Sequence, residues 1–126
     1  QGIDAASYKR YTPYVDMLES FNNEALLNIY GIYKDDIQAK YAEIGSPDQD
    51  FNSVLLEAID QLLDTPEVPV PVEVYTDSVA YKYADDRLES LNEPQKQLLR
   101  TGPDNMRRIK AKLRELKVLV EERGSN

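Results

Sequence analysis

The sequence predicts an all-α fold of four to five helices: a long N-terminal helical hairpin, a Pro-rich extended crossing and a basic, heptad-patterned C-terminal helix. Three observations predict it. Apolar residues recur at spacings of three and four along most of the chain, prolines and glycines interrupt that rhythm at separated points, and one segment is too rich in proline for a helix. The length of 126 residues suits one domain, divided into the hairpin (1–64), a connector (65–76) and the C-terminal helices (77–126).

The first half of the chain has the punctuation of two long helices. A short opening helix is expected from Asp4 to Tyr11, after which Thr12 and Pro13 have the form of an N-cap and a first helical residue. We predict one long amphipathic helix over residues 13–44, in which Gly31 is a point where the helix can bend. Its apolar positions, with a small phase drift after the fourth, are Tyr14, Leu18, Phe21, Ala25, Leu26, Tyr30, Tyr33, Ile37, Tyr41 and Ile44.

A second helix is predicted over residues 47–64. Gly45 ends the first helix, Ser46 is the expected cap, and Pro47 occupies the first helical position. The short connection predicts that the two helices lie antiparallel. A wide apolar stripe makes this the helix expected to be most buried; it comprises Val54, Leu55, Ala58, Ile59, Leu62 and Leu63.

The segment "TPEVPVPVEVY" breaks the helical pattern, because prolines at 66, 69 and 71 exclude a helix. We predict an extended crossing that ends as a short edge strand at Val72 to Tyr75. A connector is favoured over a docking segment for another protein. Beyond it, Asp77 is expected to cap a helix through "SVAYKYADDRLESL", Pro94 to open "PQKQLLR", and "TGPD" to lead into the final helix.

The composition excludes many kinds of catalysis. The chain has no cysteine and no histidine, which removes disulfides, thiolate nucleophiles, Cys/His zinc sites and an imidazole base. The segment "DQDFNSVLLE" begins like a calcium loop but lacks its glycine and final glutamate, so helix capping explains it better. No phosphate loop, nucleophile elbow or run of 18 apolar residues occurs. We therefore predict no enzyme activity, no cofactor, no metal and no membrane span.

The aromatic residues are unevenly chosen, with nine tyrosines, two phenylalanines and no tryptophan. Tyrosine buries its ring while its hydroxyl stays in water or on a hydrogen-bond partner. This composition fits the rim of a thin core and a protein interface equally well.

The C-terminal helix is basic on an acidic protein. Residues 104–126 carry a net charge of +3, whereas the whole chain carries -8. The apolar seam of this helix follows the a/d spacing of a coiled coil and consists of Met106, Ile109, Leu113, Leu116 and Val120. Its basic flanks include Arg107, Lys110, Lys112 and Lys117. These nine residues are the predicted partner-binding site, whether the acidic partner is the chain's own body or another subunit.

The resulting functional prediction is a non-catalytic structural or adaptor subunit that acts through protein–protein contacts in a larger assembly. Its C-terminal helix is expected to bind a protein partner or to self-associate. The main alternative is a nucleic-acid-associated protein, for example a virion or nucleoid component, bound through the same helix. That alternative is disfavoured because no aromatic residue lies among the charges and the rest of the surface repels phosphate. A carboxylate-only hydrolase is a more distant alternative.

Overall fold

A computed structural model describes residues 2–3, 5–45, 48–67, 72–77, 80–83 and 86–124 of the chain. Helices dominate these ranges, which confirms the predicted all-α class. In chain order the elements are β1 (Gly2–Ile3), α1 (Ala5–Lys9), α2 (Thr12–Ser20), α3 (Asn23–Ile44), α4 (Phe51–Leu63), β2 (Val72–Asp77), β3 (Ala80–Tyr83), α5 (Asp86–Glu89), α6 (Glu93–Arg100) and α7 (Pro103–Gly124).

The helix predicted over residues 13–44 is interrupted, and this prediction was wrong at one point. Phe21 and Asn22 have extended backbones and separate α2 from α3. The Asn22 side chain accepts a hydrogen bond of 3.0 Å from the backbone N–H of Ala25. Asparagine caps a helix better than it continues one, because its side chain satisfies a free N–H of the first turn. The phase drift of the apolar positions near Ala25 is the sequence sign of this break.

The helix α4 begins later than predicted. Gly45 ends α3 as expected, and its N–H donates to the carbonyl of Tyr41 at 2.7 Å. The predicted cap and first residue, Ser46 and Pro47, lie outside the described residues, and the start at residue 47 was wrong. Asp50 caps α4 instead, through a hydrogen bond of 3.3 Å from the N–H of Asn52. The calcium-like segment therefore supplies a helix cap.

Three short strands form a small antiparallel sheet in the order β1-β2-β3. The predicted strand after the prolines exists, but it is the central strand rather than an edge. The strand begins at Val72, after the prolines at 66, 69 and 71. Each of its residues therefore has an N–H group that can donate to a neighbouring strand. The helix predicted through residues 78–91 was also wrong. Residues 80–83 form β3, in which the alternating tyrosines of "AYKY" favour a strand, and among the described residues of this segment the helical part is α5.

The last two helices begin at or beside the prolines that predict them: α6 begins one residue before Pro94, and α7 begins at Pro103. The N-cap of α6 is Asn92, which exchanges hydrogen bonds with Gln95 in a capping box. Gly102 joins α6 to α7 with a φ of +93°, and a Cβ at this position would overlap the ring of Tyr8. Only glycine therefore fits the turn.

The core lies around α7 rather than around α4, which was predicted to be the most buried helix. Four buried side chains form its centre: Leu88, Leu98, Leu99 and Met106. Leu62, Leu91 and Ile109 pack against this cluster. Because α7 contacts α2, α3, α4 and α6, it is the central element on which the other helices assemble.

Candidate protein-binding surface

The apolar seam of α7 faces the chain's own helices. Met106 and Val120 are buried, Ile109 packs against the core cluster, and Leu113 and Leu116 are half-buried. The seam thus finds helical neighbours within the chain, one of the two arrangements that the heptad spacing left open. Its role in binding a second protein stays a prediction.

Two of the predicted basic flanks are buried at the ends of other helices. The Lys110 ammonium donates to the carbonyl of Thr65 at 2.5 Å, just beyond the last turn of α4. The Lys112 ammonium donates to the carbonyl of Phe21 at 2.6 Å, at the C-terminal end of α2. The last carbonyls of a helix lack partners within the helix and carry partial negative charge. Both lysines therefore bind backbone carbonyls that lie just beyond the C-terminal ends of neighbouring helices.

The remaining basic side chains of α7 mostly pair with carboxylates of the acidic body. Lys117 lies 2.7 Å from Asp60 of α4. Arg123 lies 2.9 Å from Glu24 of α3. The predicted flank Arg107 is exposed and pairs with Asp104 on its own helix. Basic α7 residues thus reach carboxylates on more than one neighbouring helix.

Arg108, which the sequence did not single out as a site residue, makes the most extensive of these contacts. Its guanidinium lies 2.5 Å from Asp16 and 2.6 Å from Glu19, both on α2. The hydrogen bond with Arg108 lowers the pKa of Glu19, and the same carboxylates raise the pKa of Arg108. On α4, the hydrogen bond from Lys117 to Asp60 likewise raises the pKa of Lys117. Several basic side chains of α7 thus find acidic partners within the same molecule, although the chain keeps a net charge of -8.

A different surface is left uncovered, and it lies on α3. An open apolar groove of about 710 Å³ runs along the C-terminal part of this helix and the start of α4. Its lining consists of Ile29, Tyr30, Tyr33, Asp36, Ile37, Lys40, Tyr41, Ile44 and Phe51. We call this surface the α3 groove.

Several apolar side chains in and beside the α3 groove are largely exposed to solvent. Ile44 is 86% exposed, Tyr33 56% and Ile29 54%, and the adjacent Ile32 is 73% exposed. Single exposed apolar residues are ordinary, but a contiguous row on one helix is typical of an interaction site. The α3 groove is therefore the strongest candidate binding surface among the described residues.

The groove is open because α4 touches α3 mainly through its first turn. Gln38 donates to the carbonyl of Gln49 at 2.8 Å and accepts from the N–H of Phe51 at 2.6 Å. Tyr41 stacks edge-on against Phe51, with ring centroids 5.6 Å apart. From there α4 runs to α7, with which it makes most of its contacts. No helix within the described ranges covers the last turns of α3.

Two tyrosines fix the walls of the groove. The Tyr30 hydroxyl donates to the side-chain carbonyl of the buried Asn52 at 2.7 Å, and burial raises the pKa of this tyrosine. The Tyr41 hydroxyl donates to the side-chain carbonyl of Gln49 at 3.1 Å. Rings held in this way present a surface that is already ordered before binding, which lowers the entropic cost of an interface.

Sequence reasoning identified the apolar rhythm of α3 as the stripe of an amphipathic helix and left open whether its tyrosines lie at the rim of a core or at a protein interface. Tyr30, Tyr33, Ile37, Tyr41 and Ile44 were all expected in the stripe of a helical hairpin. The sign of an uncovered face was the preference for tyrosine at these positions, because tyrosine tolerates contact with water.

The described residues give no sign of a metal or membrane site. Within them, no group of three or more histidine, cysteine, aspartate or glutamate side chains is placed to hold a metal ion. No helix in the same ranges combines the length and apolar character needed to cross a bilayer.

Together the fold and the surface define a small helical protein with an apolar core, a basic C-terminal helix paired with acidic helices at the surface, and an open apolar groove among its described residues. Residues 1–117 match the family described as Protein of unknown function (DUF3014), and the chain belongs to that family. Searches of curated proteins and of solved structures found no match.

Proposed function

We propose that this protein is a non-catalytic structural or adaptor subunit that binds the helical face of another chain in its α3 groove. The observation that carries the proposal is the row of exposed isoleucines and tyrosines along α3. Burying one isoleucine side chain is worth about 1.5 to 3 kcal/mol, so covering several of them supplies a substantial driving force for association.

The shape of the surface supports a helical ligand. An amphipathic helix that lies in an apolar groove is read through side chains spaced three and four residues apart. The groove offers the same spacing along α3, from Ile29 through Tyr33 and Ile37 to Ile44. Helices that pack in this way approach to about 8–10 Å between axes.

The pairing of α7 weighs against the alternative of nucleic-acid binding. Its buried lysines hold backbone carbonyls, and most of its other basic side chains hold carboxylates of the same chain. A phosphate backbone would have to displace these contacts. Nucleic-acid binding would show itself as a steeply salt-dependent mobility shift with DNA or RNA.

The test compares two aspartate substitutions at exposed aliphatic residues. Ile44→Asp places a charge in the groove, whereas Val118→Asp places one on α7, where Val118 is 52% exposed. Both variants should keep the circular dichroism and melting temperature of the wild type, because neither position is buried. Only Ile44→Asp should lose the bound protein that the wild type captures. Affinity capture from the source cells and the mass of the purified protein in solution measure this loss.

Equal behaviour of the two variants would contradict the proposal. If both variants retain every species that the wild type retains and have the same mass in solution, the α3 groove is not a binding surface.

A further inference from the structure

We infer that the chain bound in the α3 groove is a second copy of this protein, docked antiparallel about a two-fold axis at the level of Gln38. This inference rests on the proposed function and names the partner. It follows from the distribution of charge and of apolar bulk along the groove.

The groove contains one acidic and one basic side chain a single helical turn apart. Asp36 and Lys40 both line it, and both are exposed. A two-fold interface brings the same patch of both copies together, so the patch must complement itself. When two α3 helices run antiparallel with their axis at Gln38, Asp36 of each copy lies opposite Lys40 of the other, and two ion pairs form.

Neither charge has a strong partner within the chain. Lys40 lies 3.7 Å from Glu43, and this ion pair is largely exposed. Asp36 makes no ion pair with any other residue that the structure describes. Both side chains are therefore available to a second copy, at a small cost in contacts already made.

The same register matches the apolar side chains. It places Ile44 of the first copy at the level of Ile32 and Tyr33 of the second copy. By symmetry, Ile44 of the second copy meets Ile32 and Tyr33 of the first. These are among the most exposed apolar side chains on α3. The dimer would bury these side chains in two symmetric apolar contacts. The two ion pairs between Asp36 and Lys40 would lie between those contacts.

The overall charge argues that such contact is specific to the groove. Two copies that each carry a net charge of -8 repel one another over most of their surfaces. In the groove lining, one acidic and one basic side chain cancel. Charge repulsion thus opposes self-association through most of the surface but not through the α3 groove.

The experiment uses two single charge reversals, Asp36→Lys and Lys40→Asp. In either variant alone, both ion pairs of a self-associated dimer become repulsive contacts. Each variant should therefore self-associate about tenfold more weakly than the wild type, or worse. Sedimentation equilibrium measures this, with circular dichroism as the control for folding.

The decisive sample is an equimolar mixture of the two variants. In a dimer with one chain of each kind, both facing pairs are again of opposite charge. The mixture should therefore regain wild-type association, whereas each variant alone should keep its weakened association. A binding surface for an unrelated partner does not predict this rescue.

Each other outcome overturns the inference and has a different consequence for the proposed function. A wild-type protein that stays monomeric, but loses a different captured protein on Ile44→Asp, refutes self-pairing and leaves the docking function standing. A wild-type dimer that ignores the charge reversals or is not rescued by mixing refutes this pairing. A monomer whose captured species survive Ile44→Asp refutes both proposals.

Discussion

Lys110 shows how a residue that reads as part of a surface becomes part of the interior. By sequence it is a basic flank of an apolar seam, suited to steer an acidic partner. In the structure it is buried, and its ammonium holds the carbonyl of Thr65, itself buried. The long aliphatic stem of lysine packs inside while its charged end reaches a polar partner. Its position on the helix was predictable, but the carbonyl that it reaches comes from a residue 45 positions away.

We expect Lys110→Met to destabilise the protein by about 1 to 3 kcal/mol, because methionine fills a similar volume but leaves a buried carbonyl without its donor. Urea unfolding followed by circular dichroism measures the change. Arg114→Met is the matched control, since Arg114 is exposed on the same helix and its loss should stay within about 0.5 kcal/mol. An equal effect of the two substitutions would show that the bond from Lys110 to the Thr65 carbonyl does not stabilise the fold.

At the scale of elements, α3 has the same apolar rhythm whether or not another helix covers it. The periodicity shows that one face of α3 is apolar. That pattern is equally consistent with a face buried in the core and with a face that binds a partner. Whether another helix covers the apolar face of α3 depends on the direction in which α4 runs after its first turn. Contacts of Gln38 and Tyr41 with residues 49–51 set that direction. Those contacts could not be read from the spacing of apolar residues.

Gly31→Ala is expected to stabilise α3. Glycine in a helix interior costs up to about 1 kcal/mol relative to alanine, and a Cβ at Gly31 would have no heavy atom within 4 Å. The free energy of unfolding should rise by about 0.5 to 1 kcal/mol, measured by denaturant titration.

Gly45→Ala is the control for this substitution. A Cβ at Gly45 would lie 3.1 Å from both the ring and the carbonyl oxygen of Tyr41, so alanine should bring no gain there. Stabilisation at Gly45 together with none at Gly31 would contradict the assignment of Gly31 to an open helix face.

At the scale of the whole molecule, charge organises the fold. Acidic residues dominate the first hundred positions of the chain. The helix α7 packs among the helices that carry these acidic residues and brings its basic side chains close to them. Exposed ion pairs are individually weak, but several of them connect one central helix to three others. The arrangement favours a single packing of α7, in which Arg108, Lys117 and Arg123 each meet a carboxylate of a neighbouring helix.

Acid should weaken this arrangement through Glu19. Its folded-state pKa lies below the ordinary value of 4.5 because Arg108 stabilises the charged form. The stability that it contributes is therefore complete above that value and is lost as the pH falls through the lower, folded-state pKa. We expect Glu19→Gln to lower the melting temperature at pH 7, and the difference from wild type to shrink progressively as the pH falls below 4.5.

Glu57→Gln serves as the comparison, because Glu57 is exposed on α4 and makes no ion pair with any residue in the described ranges. Its melting temperature should follow the wild type at every pH. A constant difference between Glu19→Gln and wild type across the acid range would contradict the role of the Arg108 pair.

The sequence by itself determined the features that depend on neighbouring residues. Its spacing of apolar residues gives the all-α class, its prolines give the starts of α6 and α7 to within a residue, and Gly45 gives the end of α3. Such signals are local, since a cap or a missing N–H acts within one helical turn. The break at Asn22 and the strand at residues 80–83 were missed because a short-range preference won against a longer periodic pattern.

Only the tertiary structure decided which apolar faces are covered and which charges meet. The seam of α7 and the stripe of α3 look alike in sequence, yet one lies inside the fold and the other lines an open groove. The difference arises because α4 turns away from α3 towards α7 after its first turn. Burial depends on contacts between residues far apart in the chain, and the spacing of residues along one helix carries no information about them.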